Sequence, residues 1–299
     1  MIVIGSRGSQ LALWQARHIQ ARLLELGTES RIEVIKTSGD KIQDVPLAKV
    51  GGKGLFTKEI EEALLDRSID LAVHSLKDVP TELPAGLTLS AIPEREEPRD
   101  ALIGARLNEL RAGTKVGTSS LRRSSQLLAL GRGLSIEMLR GNVDTRLRKL
   151  DEGQYGAIVL AAAGLRRLGW ADRITELIPE DIMCPAVGQG ALAIETREDA
   201  GEAYQLAQKL DHANTRHAVS AERALLKVLG GGCQVPVGAY ATVSDGSVHL
   251  TAIVARPDGS HFVRGRLSGP NPEHVGTTLG RTLLDEGAEE ILREVYASQ

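Results

Sequence analysis

The chain has 299 residues, 42% hydrophobic and 25% charged, the ordinary mix of a globular protein that buries a real core without covalent staples. Its formal net charge of −3 gives no global attraction to nucleic acid or to an anionic membrane. Two cysteines, Cys184 and Cys233, exclude a disulfide scaffold, and neither has the spacing of a metal ligand.

The cations are lopsided, with 26 arginines against 10 lysines. A guanidinium binds carboxylates bidentately and stays charged, so the bias points to anionic clients. Arg7 interrupts the N-terminal apolar stretch, so no signal peptide is expected, and no apolar run approaches the roughly 20 residues of a membrane span. A cytoplasmic monomer of two or three domains is the expectation.

In chain order, Ile2-Val3-Ile4-Gly5 predicts a strand, and the spacing of Leu13, Ala16, Ile19, Leu23 and Leu26 predicts a helix over 11–26, capped by Ser9. Arg7 then sits at the positive end of that helix, where an anion is favoured. Residues 32–35 predict a strand. Lys49 to Phe56 carries three glycines around Lys53 without the phosphate-loop pattern, and reads as a lid or a tight turn. Thr57 predicts a cap for a helix through Asp66. The apolar run Ile69 to Val73 predicts a buried strand. It delivers His74, Ser75, Lys77 and Asp78 before Pro80 stops regular structure. Alone, this octapeptide reads as a turn. At the end of a buried strand it is also where a scaffold presents reactive groups. Strand, helix, strand, helix, strand argues a parallel α/β unit, ended by a strand over 84–92. The proline-bracketed charged run 93–100 predicts a crossover to a second domain.

The second unit repeats this grammar. Three strand ends carry arginines: Arg122 and Arg123 after Thr118-Ser119-Ser120, Arg140 and Arg146 around the cap Asn142, and Arg166 with Arg167 after the strand over 155–160. Ligands sit at the carboxyl edges of parallel strands, so these arginines predict one anion site. Pro185 to Glu195, with Gly188-Gln189-Gly190, predicts a hinge and a strand returning to the first unit. Residues 202–210 predict a helix, and Thr215 predicts the cap of another through Leu229. Cys233 follows three glycines, a mounting that presents a thiol. The alternative is a small buried apolar residue. Strands over 237–243, 248–256 and 262–268 follow, with turns at Asp245-Gly246 and Asp258-Gly259. Asn271-Pro272 then starts a helix predicted to run to Val295.

The run Val73 to Pro80 resembles the signature of the porphobilinogen deaminase (hydroxymethylbilane synthase) family. Leu11 to Gln15, Lys49 to Phe56, Val116 to Arg123, Leu139 to Arg146, Pro185 to Gly190 and Gly231 to Pro236 resemble family blocks in the same order. The resemblance implies an α/β fold of two periplasmic-binding-protein-like domains flanking a cleft. A small C-terminal α+β domain with a three-stranded antiparallel sheet completes it. The expected boundaries are 1–94 with 190–211, 95–189, and 212–299. It also implies a dipyrromethane cofactor on Cys233 by a thioether, Asp78 as catalytic carboxylate, porphobilinogen as substrate and no metal. Cofactor and substrate contacts would come from Arg7, Ser9, Lys53, Ser75, Lys77, Thr118, Ser119, Arg122, Arg123, Arg140, Arg146, Arg167 and Gln189. Gly230 departs from the acidic residue of many relatives, which implies a looser loop. Cys184 matches no family role. Two further readings stand beside this one: a non-catalytic clamshell for an anionic small molecule, and a cysteine-nucleophile acyl hydrolase.

Overall fold

The structure, a computed structural model, describes residues 1–41, 54–199, 201–230 and 235–297. Lys53 and Cys233 lie outside the described residues.

The first sheet has five strands. Strand β1 (Ile2–Ser6) is followed by α1 (Gln10–Glu25), β2 (Ser30–Val34), a short α2 (Ser38–Lys41), α3 (Lys58–Leu65), β3 (Leu71–Ser75) and β4 (Leu87–Ala91). The Ser9 hydroxyl accepts from the Ala12 amide and caps α1 as expected. Ala12, Ala16, Ile19 and Leu23 form the buried stripe of α1 against the sheet. Four residues of β3, Leu71 to His74, are all buried, the continuous pattern of a strand covered on both faces. A 3-10 turn, Leu76–Asp78, follows β3. Val79 is extended at φ −87°, ψ 125°, as a residue before proline must be.

The second sheet is built from β5 (Asp100–Ile103), β6 (Lys115–Gly117), α4 (Leu121–Leu128), β7 (Ser135–Glu137), α5 (Val143–Asp151), β8 (Ala157–Ala161), α6 (Ala162–Arg167) and a two-residue β9 (Glu176–Leu177). The chain then returns through Gly188-Gln189-Gly190 to β10 (Leu192–Arg197) in the first sheet. The two sheets have matching orders, β2-β1-β3-β10-β4 and β7-β6-β8-β5-β9. Each is mixed rather than purely parallel. Strand β10 runs antiparallel to β3 and β4, and β5 runs antiparallel to β8 and β9. The chain thus forms two α/β lobes, and the carboxyl ends of β3 and β8, at Ser75 and Ala161, line one cleft between them.

The two crossings between lobes pack on each other. Gly190 has φ 87°, and a Cβ there would lie 2.4 Å from the Glu96 carbonyl oxygen, so glycine is required on both counts.

Helix α7 (Glu202–Gln208) packs into the first sheet's core. The last unit holds α8 (Ala213–Val228), β11 (Val237–Ser244), β12 (Ser247–Ala255), β13 (Phe262–Gly269), α9 (Pro272–Leu283) and α10 (Glu289–Ala297). The three strands form one antiparallel sheet covered by α8 and α9. Asp245 and Gly246 both have positive φ, 49° and 71°, the signature of a two-residue hairpin turn. Two expectations are corrected. The cap of α8 is His212, whose Nδ1 accepts from the Thr215 amide, so Thr215 lies inside the first turn. The C-terminal helix does not run unbroken to Val295. Gly287, at φ 108°, breaks it, because a left-handed residue cannot continue an α-helix.

Candidate active site

Between the two lobes lies a cleft of about 530 Å3, open to solvent. Gln15, Ser75 and Lys77 line it from the first lobe, and Arg123, Arg146 and Arg167 from the second. Gln15, buried in α1, donates through Nε2 to the Ser75 hydroxyl at 2.8 Å, which fixes both side chains. A larger hollow of about 680 Å3 lies at the opposite edge of the first sheet, around Met1, Asp70 and Tyr204. Most of its charges are paired, Arg197 with Asp70 and Asp199, and Arg67 with Asp199.

The cations of the cleft crowd one another. Burial pushes the Arg146 guanidinium down to about 10, and the charges of Arg123 and Arg140 add to this while Asp78 opposes it. Burial lowers Arg167 to about 10 as well, against the pull of Glu96. Lys77 is lowered by burial; Asp78 and Asp100 work against that, and Arg123 and Arg146 with it. A protein holds several desolvated cations together only where an anion completes the set.

Asp78 closes the 3-10 turn beside Lys77, half-buried, and close enough to Arg146 to stabilise its charge. His74, by contrast, is not presented to the cleft. Its Nε2 lies 2.9 Å from Glu195 Oε2, and the pair is buried between β3 and β10. The alternation of a strand explains this: Ser75 faces the cleft, so His74 faces away.

Arg122 and Arg123 share Asp100, a carboxylate that sequence reading placed only at the end of a crossover. Arg122 Nη1 donates to Asp100 Oδ2 at 2.7 Å and to the Cys184 carbonyl at 2.7 Å. Arg123 Nε donates to Asp100 Oδ1 at 2.9 Å. Gln189 Nε2 donates to the same oxygen at 3.1 Å and to the Pro98 carbonyl at 2.6 Å. Burial would raise the Asp100 carboxyl, but the charges of Arg122 and Arg123 and their hydrogen bonds outweigh it and hold it at about 2. Arg123 thus reaches the cleft wall, whereas Arg122 and Gln189 lie behind it in the Asp100 node.

The remaining expected residues are placed as follows. Arg7 pairs with Asp40 and lies 4.1 Å over the Phe56 ring. Arg146 Nε donates to the Gly141 carbonyl at 2.8 Å, and Arg167 Nη2 to the Gly190 carbonyl at 2.6 Å. Ser119 bonds the backbone of Leu139, Thr118 accepts from the Ser120 amide, and Ser9 is spent as a cap. The Arg140 carbonyl accepts from Lys149 at 3.4 Å. Cys184 is buried, and burial pushes its thiol up to about 12, which leaves it inert. Sequence reading gave no role to Gln15, Asp40, Phe56 or Asp100. The blocks Leu11 to Gln15 and Lys49 to Phe56 were the available signals, and they pointed only at Gln15 and Phe56.

Two lobes facing each other across a cleft of buried cations, with a third unit joined at the hinge, define an anion-binding clamshell. A family model described as porphobilinogen deaminase, dipyrromethane cofactor binding domain, matches residues 2–205, and the C-terminal domain model of the same family matches residues 217–285. The porphobilinogen deaminase of Chromobacterium violaceum is 53% identical over 99% of this chain and 98% of that protein. That of Nitratidesulfovibrio vulgaris Hildenborough is 54% identical over 99% and 97%. A periplasmic substrate-binding protein of an ABC transporter from Coxiella burnetii aligns at 14% identity over 75% of this chain and 97% of its own, with a TM-score of 0.43. The chain belongs to the porphobilinogen deaminase family. Its match to the family's C-terminal domain sets aside the non-catalytic clamshell and the acyl hydrolase. Among the described residues, no helix is long and apolar enough to cross a membrane.

Proposed function

We propose that the cleft condenses four porphobilinogen units with loss of ammonia and releases the linear tetrapyrrole hydroxymethylbilane by hydrolysis, as a cytoplasmic monomer. The observation that carries this reading is the convergence of Lys77, Arg123, Arg146 and Arg167 on one cleft, with Asp78 near enough to act on Lys77 and Arg146. Each pyrrole bears an acetate and a propionate, so a dipyrromethane brings four carboxylates and each added unit brings two more. The donor set fits that group, because guanidinium forks match carboxylates bidentately.

When bound, the dipyrromethane supplies a free pyrrole α-carbon to which substrate is joined. The protein's part is to hold and stabilise. Lys77, Arg123, Arg146 and Arg167 bind carboxylates from two sides of the cleft, with Arg7 and Arg140 at its margins. The Ser75 hydroxyl, already accepting from Gln15, keeps its proton to donate. As substrate loses ammonia, positive charge develops on its pyrrole nitrogen, and the fixed Asp78 carboxylate stabilises that charge. A charged acceptor for pyrrole N–H is stronger than a neutral one. Asp78 on a strand end does not travel with the product, so the lobes shift instead as the chain lengthens. Domain boundaries at 94/95, 189/190 and 211/212 give that motion its hinges.

Cys233 is the proposed attachment point by its place in the family block. Intact-mass measurement tests this. The purified protein should exceed its sequence mass by two pyrrole units and colour with Ehrlich's reagent, and Cys233→Ser should lack both. A protein at bare sequence mass, inactive on porphobilinogen even after preincubation with it, overturns the reading.

A further inference from the structure

The cleft arginines are not held alike. Arg123 is locked: its partner Asp100 is fully buried, and its own side chain is 8% exposed. Arg7, one residue past the end of β1, is held more loosely. Its guanidinium donates through Nε to Asp40 Oδ1 at 3.1 Å, with a second bond from Nη2 to the same carboxylate, and the two side chains are 22% and 28% exposed. The face of Arg7 lies 4.1 Å from the Phe56 ring centroid, so the cation keeps its place whichever anion it binds. The approach is built in: a Cβ on Gly39 would lie 2.2 Å from the Phe56 ring.

Asp40 has a second set of partners. Its Oδ2 accepts from the Thr37 hydroxyl at 2.8 Å and from the Thr37 amide at 3.3 Å. Burial would raise its carboxyl, and the bonds to Arg7 and Thr37 more than reverse that and lower it. If Arg7 turned to another anion, Asp40 would remain hydrogen-bonded and in reach of water. Asp100 also has other partners, Arg122 and Gln189, but its side chain has no access to water. Arg7 directly follows β1, whose carboxyl end lies beside that of β3, the strand that carries Ser75.

We infer that Asp40 is an internal stand-in for a substrate carboxylate: it occupies Arg7 in the free enzyme and is displaced when a pyrrole acetate or propionate takes the same guanidinium. The exchange is charge-neutral, one carboxylate for another. It sets a threshold for binding at Arg7 and gives Arg7 a partner again when product leaves. A partly exposed ion pair is weak enough to exchange, whereas a buried one is not. The inference rests on the assignment of Arg7 to substrate carboxylates, and the test separates the two.

The test uses the cofactor-loaded enzyme and an unreactive probe, a pyrrole bearing one acetate and one propionate but no aminomethyl group. Its affinity is read by calorimetry for wild type, Asp40→Asn, Asp40→Glu, Arg7→Gln and the Asp40→Asn/Arg7→Gln double variant. Asp40→Asn keeps an acceptor for Thr37 and removes the competing charge, so the probe binds about fivefold tighter, the factor that a pair of ~1 kcal/mol would cost. Asp40→Glu restores the wild-type affinity, Arg7→Gln weakens binding, and the double variant shows no tightening over Arg7→Gln. If Arg7→Gln weakens the probe but Asp40→Asn leaves it unchanged or weaker, the exchange is refuted while Arg7 keeps its role. If Arg7→Gln binds the probe like wild type, Arg7 holds no substrate carboxylate and the exchange falls with that assignment.

Discussion

Arg123 Nε donates to Asp100 Oδ1 at 2.9 Å, and the same carboxylate also takes Arg122 and Gln189, so one buried anion orients one wall of the cleft. Removing it leaves two buried guanidinium groups without a counter-charge. Asp100→Ala should therefore cost about 3–5 kcal/mol of stability, the usual penalty for breaking a buried pair. Urea unfolding of wild type and variant measures it. A loss under about 1 kcal/mol would mean that the arginines find other partners.

The same node predicts an acid-sensitive term. The folded Asp100 carboxyl titrates at about 2, below the ordinary aspartate value. A depressed carboxylate contributes stability above its unfolded pKa and loses it as pH falls through the folded value. Asp100 therefore contributes about 2 kcal/mol at neutral pH, lost between roughly pH 4 and pH 2. Unfolding free energies collected down that range should fall less in Asp100→Asn than in wild type. Parallel curves would assign the acid sensitivity elsewhere.

Glu222 ties the hinge to the third unit. Its carboxylate accepts from Arg95 Nη1 at 2.6 Å, from the Gly188 amide at 2.7 Å and from the Ala241 amide at 2.8 Å, with no exposure to solvent. Glu222→Ala strands a cation and two buried N–H groups, so a loss of about 3–5 kcal/mol is expected. Thermal unfolding reads this directly, and an unchanged Tm would contradict it.

The third unit also depends on close helix packing. A Cβ on Gly276 in α9 would lie 2.1 Å from the Ala221 carbonyl oxygen of α8. Backbone cannot yield as a flexible side chain does, so Gly276→Ala should destabilise the protein by about 1–3 kcal/mol. Denaturant midpoints would show it. A neutral substitution would mean that the two helices separate freely.

Much of the fold was legible because it is written locally. Buried strands such as Leu71 to His74 are apolar runs, Ser9 and Asn271 announce helices at the chain position where they cap them, and Asp245-Gly246 carries its own turn chemistry. What escaped was non-local or unmarked. The partners of Asp100 lie 22, 23 and 89 residues away, Glu195 lies 121 from His74, and Asp40 lies 33 from Arg7. No window of sequence holds both halves of such a pair. Strand β9 has two residues, and the N-cap of α6 is Ala161, which offers no side-chain cap, so neither carries a local signal. The candidate site was legible as a set of cations, but not in its division into cleft wall, buried node and exchangeable pair. That division depends on which carboxylates the tertiary fold brings to them.

The central claim is that Asp78 stabilises the developing charge while the arginines hold the substrate. Turnover of cofactor-loaded Asp78→Asn, with loading first confirmed by intact mass, tests it most directly. The variant keeps the shape and loses the charge, so kcat should fall by about a hundredfold or more while affinity for the unreactive pyrrole dicarboxylate is retained. A loaded Asp78→Asn enzyme that turns over porphobilinogen near the wild-type rate would contradict the account.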